Sequence, residues 1–260
     1  KLLFVLAASG CATAPTSSNT TRQTLRYEVA GVSVIQVEDK SLPTVRMTYQ
    51  FPRGADAELE NEIGASRLLA SLMTKGSAGR SAMEIAGMVD ALGGSVSGSA
   101  SRDTLRFTAG GLSRDLEALS DLLAQTVRQP KLDAQEFERL KRQTLAGMKS
   151  GRTRGQNLAQ SALLRLMYAG DRLGLPIGGN EASVAALNLE TIKALYTKAV
   201  HPEGLTIGVF GDVSKDAVSA LLTRQLSDWK PQAAPLRPAE ATFAPKVRIH
   251  LVDKPDLTQV

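Results

Sequence analysis

The side chains that most often perform chemistry in proteins are scarce in this sequence. The 260 residues include two histidines, His201 and His250, and one cysteine, Cys11. These residues lie far apart and show none of the close spacings typical of zinc ligands. The sequence also contains no G-x-S-x-G nucleophile motif, P-loop or dinucleotide-binding motif. His201 precedes Pro202, and we expect it to cap the C-terminus of a helix, whereas His250 is expected on the solvent face of a strand.

Residues 64–77, GASRLLASLMTKGS, predict a helix with two different faces. Its apolar residues recur at the three-to-four spacing of a buried stripe, and they are Ala65, Leu68, Leu69, Leu72 and Met73. A second face beside the stripe carries Arg67, Ala70, Ser71 and Thr74. Taken alone, this pattern is that of a core helix with one solvated arginine and a few small residues.

The elements around this helix indicate an α+β domain with an antiparallel sheet packed by helices. Residues 24–54 contain three β-rich runs, and residues 95–111 alternate like a two-stranded hairpin. Several amphipathic helices follow, and residues 205–212 read as one buried strand. Ser81 and Glu84 predict a capping box, and Ser113 and Asp133 are expected to cap the next two helices. Strands and helices are grouped rather than strictly alternating, which favours α+β over a doubly wound sheet.

The composition is that of a globular protein without features of nucleic-acid binding. Hydrophobic residues make up 43% of the chain and charged residues 22%. Aromatic residues reach only 4%, too few to form stacking platforms for single-stranded nucleic acid. The net charge of +5 is spread among interspersed acids and bases. We therefore expect no nucleic-acid partner.

The first 24 residues predict a secretory signal remnant and a flexible tether. Residues 1–14, KLLFVLAASGCATA, have an apolar run followed by small residues, and the run is too short to span a bilayer. The segment before Cys11 resembles a bacterial lipobox, which implies diacylation of Cys11 and a membrane-tethered, periplasmic outer-membrane lipoprotein. Cleavage after Ala14 is the alternative, and it would release a free protein.

Residues 230–260 predict a linker and the start of a second domain. Residues 230–246 are rich in proline and alanine and show almost no periodicity. Residues 247–260, VRIHLVDKPDLTQV, align without gaps on residues 32–45, VSVIQVEDKSLPTV. A repeat after a linker is typical of tandem domains. We therefore expect one domain over residues 25–229 and a homologous second domain from residue 247.

Three stretches of the chain resemble a known enzyme family. The first is GASRLLASLMTKGS…RSAMEIAGMVDALGGSVSGSASRDTLRF, and the second begins at FERLKRQTLAGMKSGRTRGQ. Together with residues 186–213 they resemble the N-terminal domain of pitrilysin/insulinase-type zinc peptidases, in the bacterial processing-peptidase-like branch. The resemblance implies that this domain is one half of a tandem two-domain clamshell.

The same resemblance implies that the zinc site is missing from this chain. Active members carry an inverted H-x-x-E-H motif on the first helix. The two histidine positions fall on Arg67 and Ser71, and the general-base glutamate position falls on Ala70. The third ligand, a glutamate on a later helix, aligns with Gly147. Catalytic zinc needs about three donor side chains and a nearby carboxylate, so we expect no metal in this chain.

The resemblance therefore predicts a non-catalytic subunit that pairs with an active, zinc-bearing homologue. Such a heterodimer would enclose an unfolded peptide in a chamber, with the zinc in the partner subunit. The predicted hairpin offers a candidate edge strand for binding that peptide, with Ser95, Ser97, Gly98 and Ser99 as candidate contacts. A slender polar hairpin without this role, a stand-alone envelope peptide-binding scaffold and an active zinc metalloendopeptidase are the alternatives.

Overall fold

A six-stranded sheet forms the centre of the domain. The computed structural model describes residues 23–151, 155–168 and 171–230. The strands are β1 (Thr24–Val29), β2 (Val32–Glu38), β3 (Thr44–Phe51), β4 (Ser95–Ala100), β5 (Leu105–Leu112) and β6 (Thr206–Gly211). They lie in the order β1-β2-β6-β3-β5-β4, so β4 is an edge strand.

The sheet is mixed, whereas the sequence analysis expected an antiparallel one. Four of its pairings are antiparallel, but β2 and β6 run parallel, with Val34 opposite Ile207. The parallel pair arises because β6 enters the sheet between β2 and β3 after a long helical excursion, as parallel pairing requires. The expected α+β class is confirmed, because the strands form one sheet and the helices pack against it.

Eight α-helices are present in the described residues. They are α1 (Ala65–Met73), α2 (Ala82–Ala91), α3 (Leu116–Arg128), α4 (Ala134–Gly151), α5 (Gly155–Met167), α6 (Glu181–Ala186), α7 (Leu189–Ala199) and α8 (Lys215–Leu226). None of these helices combines the length and the apolar character needed to cross a membrane.

The local signals for helix starts are mostly confirmed. Ser81 and Glu84 form the predicted capping box, and Asp133 Oδ1 accepts a hydrogen bond from the backbone N–H of Gln135 at 2.9 Å. The expected Ser113 cap is wrong, because residues 113–115 form a short 3₁₀ turn. This turn moves the start of α3 to Leu116, and no side chain caps it.

The hydrophobic core lies between one face of the sheet and the helices. Alternate residues of the central strands, such as Met47, Tyr49, Phe107 and Ile207, are at most 1% exposed. The predicted apolar stripe of α1 is confirmed, since each of its five residues is at most 3% exposed. Helix α1 packs on β4 and β5, and of its second face Ala70 is buried, Ser71 and Thr74 are half-buried and Arg67 is exposed.

Candidate functional site

A buried carboxylate fixes the start of α1. Glu58 is 1% exposed, and its two oxygens accept hydrogen bonds from the backbone N–H groups of Gly64 at 2.9 Å and Ser66 at 2.7 Å. These groups have no partner inside the helix, so the carboxylate satisfies them. Burial raises the pKa of Glu58, and the two backbone hydrogen bonds oppose that rise.

The second face of α1 carries a cation and small side chains. Arg67 is exposed, Ser71 is half-buried, and Ala70 is 1% exposed beneath the sheet. The hydroxyl of Thr74 donates to the Ser71 carbonyl at 2.8 Å. Arg67 lies along the backbone of Gly178, where a Cβ would stand 3.2 Å from Arg67 Cδ. The guanidinium is therefore held across this face rather than in the core.

Gly147 lies near the end of α4, which packs against α1. The position is exposed, and a Cβ placed there would have no neighbouring atom within 4 Å. The structure therefore leaves room for a side chain at position 147. Gly147 itself has no side chain that could bind a metal.

The side chains at the four positions that the resemblance assigns to zinc binding and catalysis do not fit a zinc site. Zinc binds imidazole, thiolate and carboxylate groups, and a catalytic site adds a carboxylate to accept a proton. Arg67 is a permanent cation, Ala70 and Gly147 carry no donor atom, and Ser71 offers one neutral hydroxyl. Within the described ranges, no group of three or more His, Cys, Asp or Glu side chains is arranged to hold a metal ion.

The predicted hairpin is confirmed as β4 and β5, and β4 has an open edge. No further strand pairs with β4 in the part of the chain that the structure describes. Ser95, Ser97 and Ser99 point to the exposed face of the sheet, whereas Gly98 points to α1. A Cβ on Gly98 would overlap the Ala70 carbonyl oxygen. The absence of a side chain at Gly98 therefore allows α1 to lie directly against β4.

The backbone groups available at the open edge belong to different residues from the candidate serines. The N–H of Ser101 donates to the Thr104 carbonyl at 2.8 Å, which fixes the phase of the β4–β5 ladder. Along an antiparallel strand, successive residues direct their backbone N–H and C=O groups alternately toward the neighbouring strand and away from it. The backbone groups of Val96, Gly98 and Ala100 therefore point away from β5, toward the open edge. The sequence analysis missed Val96 and Ala100, since alternation alone does not tell which residues face the neighbouring strand.

The tip of this hairpin fixes the segment that approaches Arg67. Arg102 donates to the backbone carbonyls of Arg172 at 3.2 Å and Leu175 at 3.4 Å. Arg172 in turn donates to the Ala55 carbonyl at 3.1 Å. The chain continues from this anchored segment to Gly178, so β4, Arg67 and residues 172–178 form one connected surface.

The structure describes His201 but not His250 or Cys11. His201 follows α7, is only 6% exposed and lies against the backbone of Lys198 in the last turn of that helix. Burial lowers the pKa of His201, and the nearby charge of Arg53 lowers it further. His250, Cys11, the linker at 231–246 and the expected second domain lie outside the described residues.

Family models match most of this chain. Residues 33–181 match the insulinase family, peptidase family M16, and residues 186–260 match the peptidase M16 inactive domain. The first match covers more than half of the chain. The protein therefore belongs to the insulinase family, peptidase family M16.

Its relatives include proteins named as peptidases and proteins named otherwise. An uncharacterized zinc protease of Mycobacterium leprae is 25% identical over 72% of this chain and 43% of its own length. The alpha subunit of the mitochondrial-processing peptidase of Neurospora crassa is 23% identical over 86% and 39%, respectively. A non-peptidase homolog of Helicobacter pylori is 22% identical over 76% and 46%. The chain thus spans less than half the length of these relatives.

Solved structures share the fold. A peptidase M16 inactive domain from Pseudomonas fluorescens superimposes with a TM-score of 0.77 at 24% identity, covering 84% of this chain and 53% of the other. The periplasmic protease PqqL from Escherichia coli gives a TM-score of 0.76 at 15% identity over 89% and 26%. At these identities the likeness establishes the fold alone.

Proposed function

We propose that this protein is a non-catalytic subunit that pairs with an active zinc-peptidase homologue. The observation that carries the proposal is the residue set at the family's zinc positions, where Arg67, Ala70, Ser71 and Gly147 offer no ligand set. Peptide-bond hydrolysis would take place on the partner subunit. This chain would contribute part of the chamber wall and contacts to an unfolded peptide.

The relatives support a division of labour of this kind. One relative is named as the alpha subunit of a processing peptidase, and another as a non-peptidase homolog. Other relatives are named as zinc proteases, so the relatives include both proteins named as peptidases and a protein named as a non-peptidase. The residues at Arg67, Ala70 and Ser71 on α1 support the proposal of a non-catalytic role.

We propose that the peptide binds by adding a strand to the open edge of β4. The outward N–H and C=O groups of Val96, Gly98 and Ala100 form a template for main-chain hydrogen bonds. The side chains of Ser95, Ser97 and Ser99 are small and lie on the exposed face beside that edge. A bound chain would therefore meet little steric obstruction.

Proline substitutions on β4 test this binding mode. Ala100→Pro removes an outward N–H, so it should weaken binding of a fluorescein-labelled unfolded peptide while thermal stability changes little. Ser97→Pro is the matched comparison, because it removes an N–H that pairs with β5 and should destabilise the fold. Unchanged peptide affinity in a folded Ala100→Pro variant would refute strand addition at β4.

Co-purification with a zinc-bearing homologue from the same organism tests the proposed partnership. We expect a stable heterodimer, peptidase activity in the pair and none in this chain alone. A chain that binds peptide but no homologue would instead support the stand-alone envelope scaffold. Zinc-dependent activity in the isolated chain would support the active metalloendopeptidase.

We also propose that the protein is an outer-membrane lipoprotein of the bacterial envelope. The support is the sequence AASGC, which ends at Cys11 after an apolar run. A structural relative is named as a periplasmic protease, which agrees with this location. Cys11→Ser should block lipid attachment and move the protein from the membrane fraction to the soluble fraction. Unchanged fractionation of the variant would exclude the lipid anchor.

A further inference from the structure

An open cavity lies between α4, α5 and the segment at residues 176–181. Its volume is about 630 Å³, within the range of small-ligand sites. The apolar side chains that line it are Met148, Leu158, Ala162, Leu166 and Pro176. A cavity of this size and character accommodates a large apolar side chain, whose burial is favourable.

Two cations flank this cavity. Arg165 on α5 is part of its lining, and Arg67 on α1 lies against Gly178, the neighbour of the lining residue Gly179. Both arginines are exposed, and neither forms an ion pair with another described residue. Glu181 also lines the cavity, but it is already engaged in an interaction of its own. The lining therefore holds one cation and one carboxylate, and Arg67 adds a second cation beside it.

Helix α1 lies between the cavity and the open edge of β4. Gly98 of β4 touches Ala70 of α1, and α1 packs against α4, whose C-terminal end lines the cavity. A helix is about 10 Å wide, and an extended chain advances about 3.3 Å per residue. A peptide paired with β4 would thus cross the second face of α1 in about three residues and then reach the cavity.

We propose that the cavity takes a large apolar side chain of the bound peptide and that Arg67 and Arg165 select an acidic residue beside it. The inference rests on the proposed function, because it assumes that an extended peptide lies on β4. It adds a substrate class, namely peptides with an adjacent apolar and acidic pair. The position that holds a metal ligand in active relatives would here serve to recognise an anion.

Fluorescence anisotropy with matched peptides tests the selection. The probes are short fluorescein-labelled peptides that differ only in one pair of residues, which is Leu-Asp, Leu-Asn or Ala-Asp, each in both orders. We expect the full-length protein to bind Leu-Asp about three- to tenfold more tightly than Leu-Asn at low salt. Added salt should reduce this difference, since both cations are exposed.

Variants then separate the two parts of the site. Arg67→Gln combined with Arg165→Gln should abolish the preference for Leu-Asp and leave the affinity for Leu-Asn unchanged. Ala162→Trp should fill the cavity and remove the preference for Leu-Asp over Ala-Asp. Leu163→Trp is its control, because Leu163 is 56% exposed on α5 and is not part of the lining.

The outcomes distinguish this inference from the proposed function. Equal binding of Leu-Asp and Leu-Asn, together with loss of binding in Ala100→Pro, would overturn the acidic selection and leave strand addition at β4 intact. Unchanged discrimination between Leu-Asp and Ala-Asp in Ala162→Trp would overturn the role of the cavity. Failure of every probe to bind would overturn strand addition at β4 and the inference together.

Discussion

Replacing Gly98 by alanine is expected to destabilise the domain by separating α1 from β4. The new Cβ would stand 3.0 Å from the Ala70 carbonyl carbon and 3.0 Å from Phe107 Cε1, and closer still to the Ala70 oxygen. Two of these atoms belong to the backbone of α1, which can yield only if the helix moves. Overpacking of this kind costs about 1–3 kcal/mol, and we expect about 2 kcal/mol here.

Thermal denaturation of the full-length protein measures this effect. For a domain of this size, about 2 kcal/mol corresponds to a fall in Tm of roughly 4–8 °C. Gly110→Ala is the matched control, because a Cβ on Gly110 makes only ordinary contacts, at 3.6 Å from the Val45 carbonyl oxygen and 3.7 Å from Ser95 Oγ. That variant should unfold within about 0.5 kcal/mol of the parent, as expected for a sterically compatible change.

The Gly98→Ala variant also tests peptide binding at the open edge of β4. A helix displaced from β4 would change the path between the strand and the cavity, so Gly98→Ala should weaken peptide binding more than Gly110→Ala does. A Gly98→Ala protein as stable as the parent would show that α1 does not lie against β4. The path from β4 across α1 to the cavity would then be refuted.

Three further predictions concern single side chains. Gly147→Ala should raise the free energy of unfolding by about 0.5–1 kcal/mol in denaturant titrations, because the position is open and helical. Glu58→Gln should lower it by about 1–3 kcal/mol in the same assay, because an amide offers one acceptor oxygen where the carboxylate uses two. The lowered pKa of His201 means that the unfolded chain binds the proton more readily, so stability is lost as the pH falls below about 6.5. His201→Leu should therefore lose less Tm than the parent between pH 7.5 and about pH 5.5, and an equal loss would exclude this role.

The features that follow from local patterns could be predicted from the sequence. The stripe of α1, the Ser81 capping box and the β4–β5 hairpin depend on residues close together in the chain, and all three are confirmed. The resemblance on α1 also singled out Arg67 and Ser71. Their role remains a prediction, because the structure shows where they lie and not what they bind.

The features that depend on distant packing could not be predicted in the same way. The parallel pairing of β2 with β6 joins segments separated by most of the domain, and no local periodicity reports it. The burial of His201 results from its packing after α7, which its position before Pro202 does not report. The cavity beside Arg165 exists only because α4, α5 and residues 176–181 meet.

A positive control for metal binding follows from the ligand positions that the family resemblance implies. The variant Arg67→His, Ser71→His and Gly147→Glu places two imidazoles four residues apart on α1 and a carboxylate on α4, where a side chain has room. Ala70 stays unchanged in this control because it is 1% exposed, and a carboxylate there would be buried. This triple variant should bind zinc more tightly than the parent in a competition assay with a chelating dye.

Metal analysis of the purified full-length parent protein tests the central claim most directly. The protein would be expressed with added zinc, dialysed against metal-free buffer and analysed by inductively coupled plasma mass spectrometry. Because Arg67, Ala70, Ser71 and Gly147 provide no ligand set, we predict far less than one zinc per chain. About one tightly held zinc per chain would contradict the account.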